Sequence, residues 1–452
     1  MQENPRKNSW VKVTLQVYSA AISLAVALVS PVATAQDVVP DADATALRKF
    51  TEDTSKDLER VRGRTAKPLP PVKVIGRKEY LEEYVLKSVD FMWGGDFERS
   101  LDIFRALGMI PADLKTKPFL EKYGSRMTAA AYDFLGKRVV FPETDVNREV
   151  LVHELCHAMQ DQRHDIAKLM RTTHGELDGI LAMGALIEGE ATNVQIRYRL
   201  GRSRLLGIII PYGTLRKHAR AEAEKLRRRI MRWMPDVPAN LIRAQAFVYD
   251  EGVLFVERLR RRKLHWVDVD AAFARPPRST TQILHPKKYL DGEWPVTIDV
   301  TGKQTLLAGY RLVTENTLGE FGTWLFLSTH LKEVGPSTEA AAGWRGDRVL
   351  LYRAASGAKP VLVWISIWET PERAEAMSKD LRTALVHCAA RVPWYGLDTH
   401  KRGETAVRVR RTGDRVVAVI DPARRFERLL GTTWTTTQAK GKPLGDRKKQ
   451  GK

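Results

Sequence analysis

The stretch Val150-Leu-Val-His153-Glu154-Leu-Cys-His157-Ala-Met-Gln-Asp161 decides how the rest of this 452-residue sequence is understood. Its residues are almost all uncharged, apart from the histidines, Glu154 and the closing acid, so a helix here is buried at the floor of a cleft. Helical residues four apart project from one face, which lets His153 and His157 offer two imidazoles to a single metal ion. Glu154 lies one residue round from the first ligand, placed to take a proton from a metal-activated water rather than to bind the metal. With ten histidines in the chain, this spacing arises by chance on the order of one time in a hundred. The competing reading is a core helix whose two histidines only hydrogen-bond.

A catalytic zinc takes three protein ligands and leaves one position for water. His164 follows His157 by seven residues with no glycine turn before it, so a short-range third histidine is absent. Downstream, Ala185-Leu-Ile-Glu188-Gly-Glu190-Ala191 sets two acids among apolar and small residues, a costly placement unless each carboxylate finds a partner. Metal ligation would partner one of them.

Outward from these segments, Asp145 is a candidate N-cap for the histidine helix. Apolar spacing predicts further helices over about 177–199, 214–233 and 244–261, and helices between Arg77 and about Leu120. Thr128 to Phe134 and Lys137 to Phe141, separated by Gly136, form a predicted hairpin whose edge could pair with an extended peptide. Strands are expected from Trp294 to Val300, Val349 to Arg353 and Val361 to Ile367, a helix from Pro371 to Ala390, and a hairpin over 406–420 turning near Gly413. The expected organisation is a signal peptide over 1–35, a loose leader over 36–72 ending in Pro-rich Lys67 to Pro71, a metal-binding domain over 73–295, an α+β domain over 296–435 and a basic disordered tail over 436–452.

The pairing of His153-Glu154-x-x-His157 with a later Glu188-Gly189-x-Ala191 resembles the gluzincin group of zinc metallopeptidases. Over about residues 125–290, the run from His153 to Gln162, Tyr249-Asp-Glu-Gly252 and Ser279-Thr-Thr-Gln-Ile-Leu-His-Pro286 are similar to a little-characterised branch of secreted bacterial gluzincin-like proteins. The resemblance implies a mainly helical zincin-like metallopeptidase domain with a small β-hairpin and edge strand, and says little about the C-terminal third; there the strand and helix pattern predicts a smaller α+β C-terminal domain, so the expected fold class is α+β. It makes Glu188 the third ligand of one Zn2+ per chain and Glu190 a supporting or substrate-facing acid. In many gluzincins an acid four positions after the ligand glutamate orients a histidine; here that position is Thr192, so Asp161, Asp178 and Glu190 are the candidates for outer support. Gluzincins also draw an oxyanion-stabilising tyrosine or histidine from beyond the second helix, which nominates Tyr249 and, more weakly, His285.

Arg6, Lys7 and Lys12 precede an apolar run from Val13 to Val29 and the small residues Ala33-Thr34-Ala35, the order of a secretory signal peptide. No later stretch is long enough to span a bilayer. The formal charge is +20; removing residues 1–35 takes away three cations and one anion and leaves +18. Much of this excess lies in 216–232 and in the C-terminal tail, and no nucleic-acid module accompanies it. Two cysteines, Cys156 and Cys388, are too few for a disulfide framework and are expected free. The functional expectation is a periplasmic or extracellular zinc metallopeptidase with a peptide or protein substrate. The alternatives are a non-catalytic periplasmic binding protein that retains the metal-site fold, and a zinc amidase acting on cell-wall peptides.

Overall fold

The computed structural model describes residues 38–39, 44–92, 97–115, 118, 129–142, 146–173, 175–201, 210–233, 239–263, 266–331, 341–397 and 399–440. The signal peptide, Asp145 and residues 441–452 of the tail lie outside them. Its first half runs β1 (Val38–Val39), α1 (Ala44–Arg62), β2 (Val72–Val74), α2 (Arg77–Tyr80), a π-turn (Leu81–Val85), α3 (Leu86–Met92), α4 (Phe97–Ala106), β3 (Ala131–Asp133), β4 (Arg138–Phe141), β5 (Val146–Asn147), α5 (Arg148–His164), α6 (Ile166–Arg171), α7 (Leu177–Gly201), α8 (Tyr212–Trp233), α9 (Ala239–Lys263) and α10 (Val267–Ala274). The second half holds α11 (Thr280–Leu284), α12 (Pro286–Asp291), β6 (Glu293–Ile298), β7 (Tyr310–Asn316), α13 (Gly319–His330), β8 (Trp344–Ala354), β9 (Val361–Trp368), α14 (Pro371–Arg391), α15 (His400–Ala406), β10 (Val407–Thr412), β11 (Arg415–Ile420), α16 (Phe426–Leu430) and β12 (Thr436–Lys440). The fold is α+β. Among the described residues no helix is long and apolar enough to cross a membrane.

The chain divides into two compact units: 1–95, 113–171 and 184–274 in the first, 96–112, 172–183 and 275–452 in the second. In the first unit, α5 starts where the Asn147 side chain accepts the Val150 N–H at 3.1 Å. It ends at Asp165, whose backbone is left-handed (φ 51°). Every residue of α5 from Val150 to Asp161 is buried, because α1, α6 and the small sheets close over it. The stretch of α7 from Gly184 onward crosses α9 with backbones nearly touching: a Cβ on Gly189 would lie 2.3 Å from the Gly252 carbonyl oxygen, and one on Gly252 2.4 Å from that of Ala185. Only glycine fits such an approach, and the crossing anchors the turn of α7 that carries Glu188.

The small sheet of this unit has the order β2-β4-β3. β3 and β4 form the expected antiparallel hairpin, with Tyr132 opposite Val139, and the Asp133 carboxylate accepts the Leu135 and Gly136 N–H groups in its turn. β3 is therefore an edge strand. The sequence expectation of a loose leader over 36–72 is corrected here. β1 pairs with β5 immediately ahead of α5, α1 is a 19-residue helix with Leu58 wholly buried, and β2 pairs with β4. Its apolar positions recur at helical spacing among many charges, and low overall hydrophobicity concealed them.

The second unit is built on an antiparallel sheet of order β10-β11-β9-β8-β7. One face packs Tyr310, Leu350, Tyr352, Val363, Ile365, Val417 and Val419 with Leu429 and Trp434; the other lies under α14. β9 is buried at all eight positions, as a central strand covered on both faces should be. The expected strands over 349–353 and 361–367, the helix from Pro371 and the hairpin turning at Gly413 all occur. The unit takes up chain from Arg275 rather than from residue 296, because β6 pairs with β12 and so spans the expected boundary. That pairing also makes 436–440 a strand, where a disordered tail was expected. Cys156 and Cys388 are both free and buried.

Candidate metal centre

α5 and α7 supply the centre. His153 and His157, one turn apart on α5, bring their Nε2 atoms to 3.0 Å of each other. Glu188 Oε2 on α7 lies 3.2 Å from the first and 3.5 Å from the second. Among the described residues these three form the group able to hold a metal ion, with one ligand atom from each falling within 4.8 Å of the others. Two imidazole nitrogens and a carboxylate oxygen, all at the bottom of a cleft, are a donor set suited to a divalent transition-metal ion. The remaining oxygen of the carboxylate, Glu188 Oε1, is buried with no hydrogen-bond partner among the described residues. Such a group is costly to bury, and a cation between the three side chains would remove the cost.

Burial opposes the charge on Glu188, but His157 and His153 outweigh it and hold its pKa below the ordinary range. Burial likewise opposes charge on His157, and the Glu188 carboxylate overcomes it, raising the pKa to about 9. Glu154 goes the other way: loss of hydration raises its pKa, partly countered by the two histidines. Its Oε2 accepts the Tyr132 N–H at 2.7 Å, so the edge strand β3 orients the carboxylate.

These residues line a cleft of about 370 Å³, open to solvent, with Tyr84, Ala131, Tyr132, Phe134, Ile166 and Ile187 as its other walls. Tyr84 stands on the π-turn, a local departure from α-geometry that often marks a functional position. Its phenol is buried and its pKa is raised, first by burial and then by neighbours that include Glu154 and Glu188, so it stays protonated as a donor. Tyr249, the expected oxyanion donor, is buried on α9 and is not among the residues lining the cleft. His285 belongs to the second unit, where its Nε2 lies 2.8 Å from Glu320. A rule based on order in the chain looked downstream of α7, whereas the cleft takes its tyrosines from upstream of α5, where no spacing marks them.

Of the three acids considered for outer support, Glu190 alone connects to a ligand. His157 Nδ1 lies 2.8 Å from Gln160 Oε1, and Gln160 Nε2 donates to Glu190 Oε2 at 2.9 Å. Asp161 instead accepts from the Tyr132 hydroxyl and Lys137, and Asp178 accepts from Thr280 within the second unit.

A family described as a domain of unknown function (DUF8575) matches residues 306–429, within the second unit and outside the segments that carry His153, His157 and Glu188. No curated protein and no solved structure matches the chain significantly.

Proposed function

We propose that this chain is an exported zinc-dependent metallopeptidase. The observation that carries the reading is the convergence of His153, His157 and Glu188 at the floor of an open cleft, with the Glu154 carboxylate beside them. A structural metal site has no use for an adjacent base and is closed by a fourth protein ligand. A zinc ion held by these three residues supplies Lewis acidity and makes water acidic near neutral pH. Glu154, with Oε2 tied to Tyr132 N–H, keeps its other oxygen for a water in the cleft; it takes that water's proton as the carbonyl is attacked and passes it to the leaving nitrogen. Tyr84 is the hydroxyl available to donate to the developing oxyanion. In an antiparallel pair both main-chain groups of one residue face the same way, so the Tyr132 carbonyl shares the outer edge of β3 with the N–H held by Glu154. It can accept an N–H from an extended peptide. Export rests on the charged, apolar and small-residue order of residues 1–35.

The test is elemental mass spectrometry on the purified mature chain and its Glu188→Ala variant. One zinc per chain is expected in the wild type and substoichiometric zinc in the variant. A wild type without stoichiometric metal would end the reading, and unchanged zinc in the variant would remove Glu188 from the ligand set.

A further inference from the structure

The two histidine ligands are not held alike. His153 Nδ1 is buried and has no hydrogen-bond partner among the described residues, whereas His157 Nδ1 faces Gln160 Oε1 at 2.8 Å. The orientation of that amide is forced, because Gln160 Nε2 donates to two acceptors, the Ile187 carbonyl and Glu190 Oε2, each at 2.9 Å. Only its oxygen is left for His157, so Nδ1 carries the proton and the Nε2 lone pair faces the metal position. Glu190 is in turn neutralised by Arg62, which donates from Nε to its Oε1 and from Nη2 to Asp270 Oδ1 at 2.5 Å. The guanidinium also lies over the Trp266 ring, 4.6 Å from its centroid. Arg62 is 3% exposed and is the last residue of α1, within the segment expected to be a loose leader.

We propose that Gln160, Glu190 and Arg62 form a positioning relay that fixes His157 in its ligating tautomer, and that α1 is thereby an integral part of the metal centre and not a removable leader. This rests on the metal-binding reading above. An uncharged amide stands between histidine and carboxylate, so the relay sets ring orientation without transferring a proton. Arg62 holds the Glu190 carboxylate in place, which in turn holds the amide's NH2 group away from His157.

The mature chain should be compared with Gln160→Met, Arg62→Met and Arg62→Lys, reading zinc affinity by chelator competition, the visible spectrum of the Co2+-loaded protein, and thermal melting. Gln160→Met is expected to weaken zinc binding about 10- to 100-fold and to change the cobalt spectrum. Arg62→Met should do so less strongly, and Arg62→Lys should recover part of the loss. Should Arg62→Met fail to fold, Gln160→Met decides alone, since it leaves the Arg62 ion pairs intact. A wild type that binds zinc beside a Gln160→Met with the same affinity and the same cobalt spectrum overturns the relay, even if melting falls. A wild type that binds no zinc overturns the metal reading and the relay together, and is recognised from its own titration.

Discussion

Both units bury carboxylates, and two groups of them, one in each unit, are stabilised differently. In the first, Glu188 faces two imidazoles, Glu190 faces Arg62, and Glu257 is surrounded by Arg197, Arg260 and Arg261. In the second, Asp178 accepts from the Thr280 N–H and hydroxyl at 2.7 and 2.6 Å, and Asp347 accepts from the Leu318 and Gly319 N–H groups and the Trp344 indole. Cations make ionisation favourable in a poorly hydrated site, and Glu188 and Glu257 are held below the ordinary carboxylate range despite burial. Neutral donors offset less, and burial pushes Asp178 and Asp347 up to about 7. The cations around Glu188 and Glu257 thus keep these two charges inside the first unit. The acids of the second clamp the loop that starts α13, where a Cβ on Gly319 would lie 1.8 Å from Asp178 Oδ1.

The sharpest way to break this contrast is Glu154→Gln, which keeps shape and the Tyr132 contact but removes the base. Peptide hydrolysis should fall by about 1,000-fold or more while zinc content holds at one per chain; a variant that retains activity removes Glu154 from the mechanism. Next in size is Glu190→Gln, which leaves Arg62 with Asp270 alone. A loss of roughly 2–3 kcal/mol, read from denaturant melts, is expected for half-breaking a buried pair, and an unaltered midpoint would mean that charge compensation is unimportant in the first unit.

The same type of change should have the opposite sign in the second unit. An acid whose folded pKa lies above its unfolded value of 3.8 contributes most to stability below that value, and the contribution is lost as pH rises through about 7. Asp178→Asn removes that loss while its amide oxygen still accepts from Thr280. Its melting temperature should exceed that of the wild type by a few degrees at pH 8 and by less at pH 5; a wild-type-like pH slope would refute the assignment. The smallest effect belongs to exposed pairs such as Glu224 with Arg227 and Arg228 on α8. Glu224→Gln should leave melting unchanged within error, because water screens these charges and two long side chains lose freedom in pairing.

Much of the centre was legible because its chemistry is local. His153, Glu154 and His157 sit on one helix, and Glu188 is conspicuous as an acid between the Leu186–Ile187 pair and Gly189. Gln160 was legible in principle, three positions after His157 on the same face, yet glutamine in a helix carries no signal of its own. Arg62 and Tyr84 carried none, since their partners are 128 residues away for Arg62 and Glu190 and on α5 and α7 for Tyr84. In the second unit the strong strands β8 and β9 were visible as apolar runs. α13, with Gly319, Gly322, Thr323 and two bulky aromatics in its first turns, has poor intrinsic helix propensity and forms because its surroundings bury it.

By itself, then, the sequence determined a helix able to present two imidazoles and a carboxylate, a second helix with buried acids, and the hairpin whose edge faces them, because periodicity and composition act over a few residues. Only the tertiary structure decided which acid meets the histidines, which tyrosine enters the cleft, and that α1 with Arg62 belongs to the centre. Those choices depend on the glycine crossing of α7 over α9 and on pairing across the chain, and burial makes them decisive: inside a protein each charge must find its partner in three dimensions, whatever its distance in sequence.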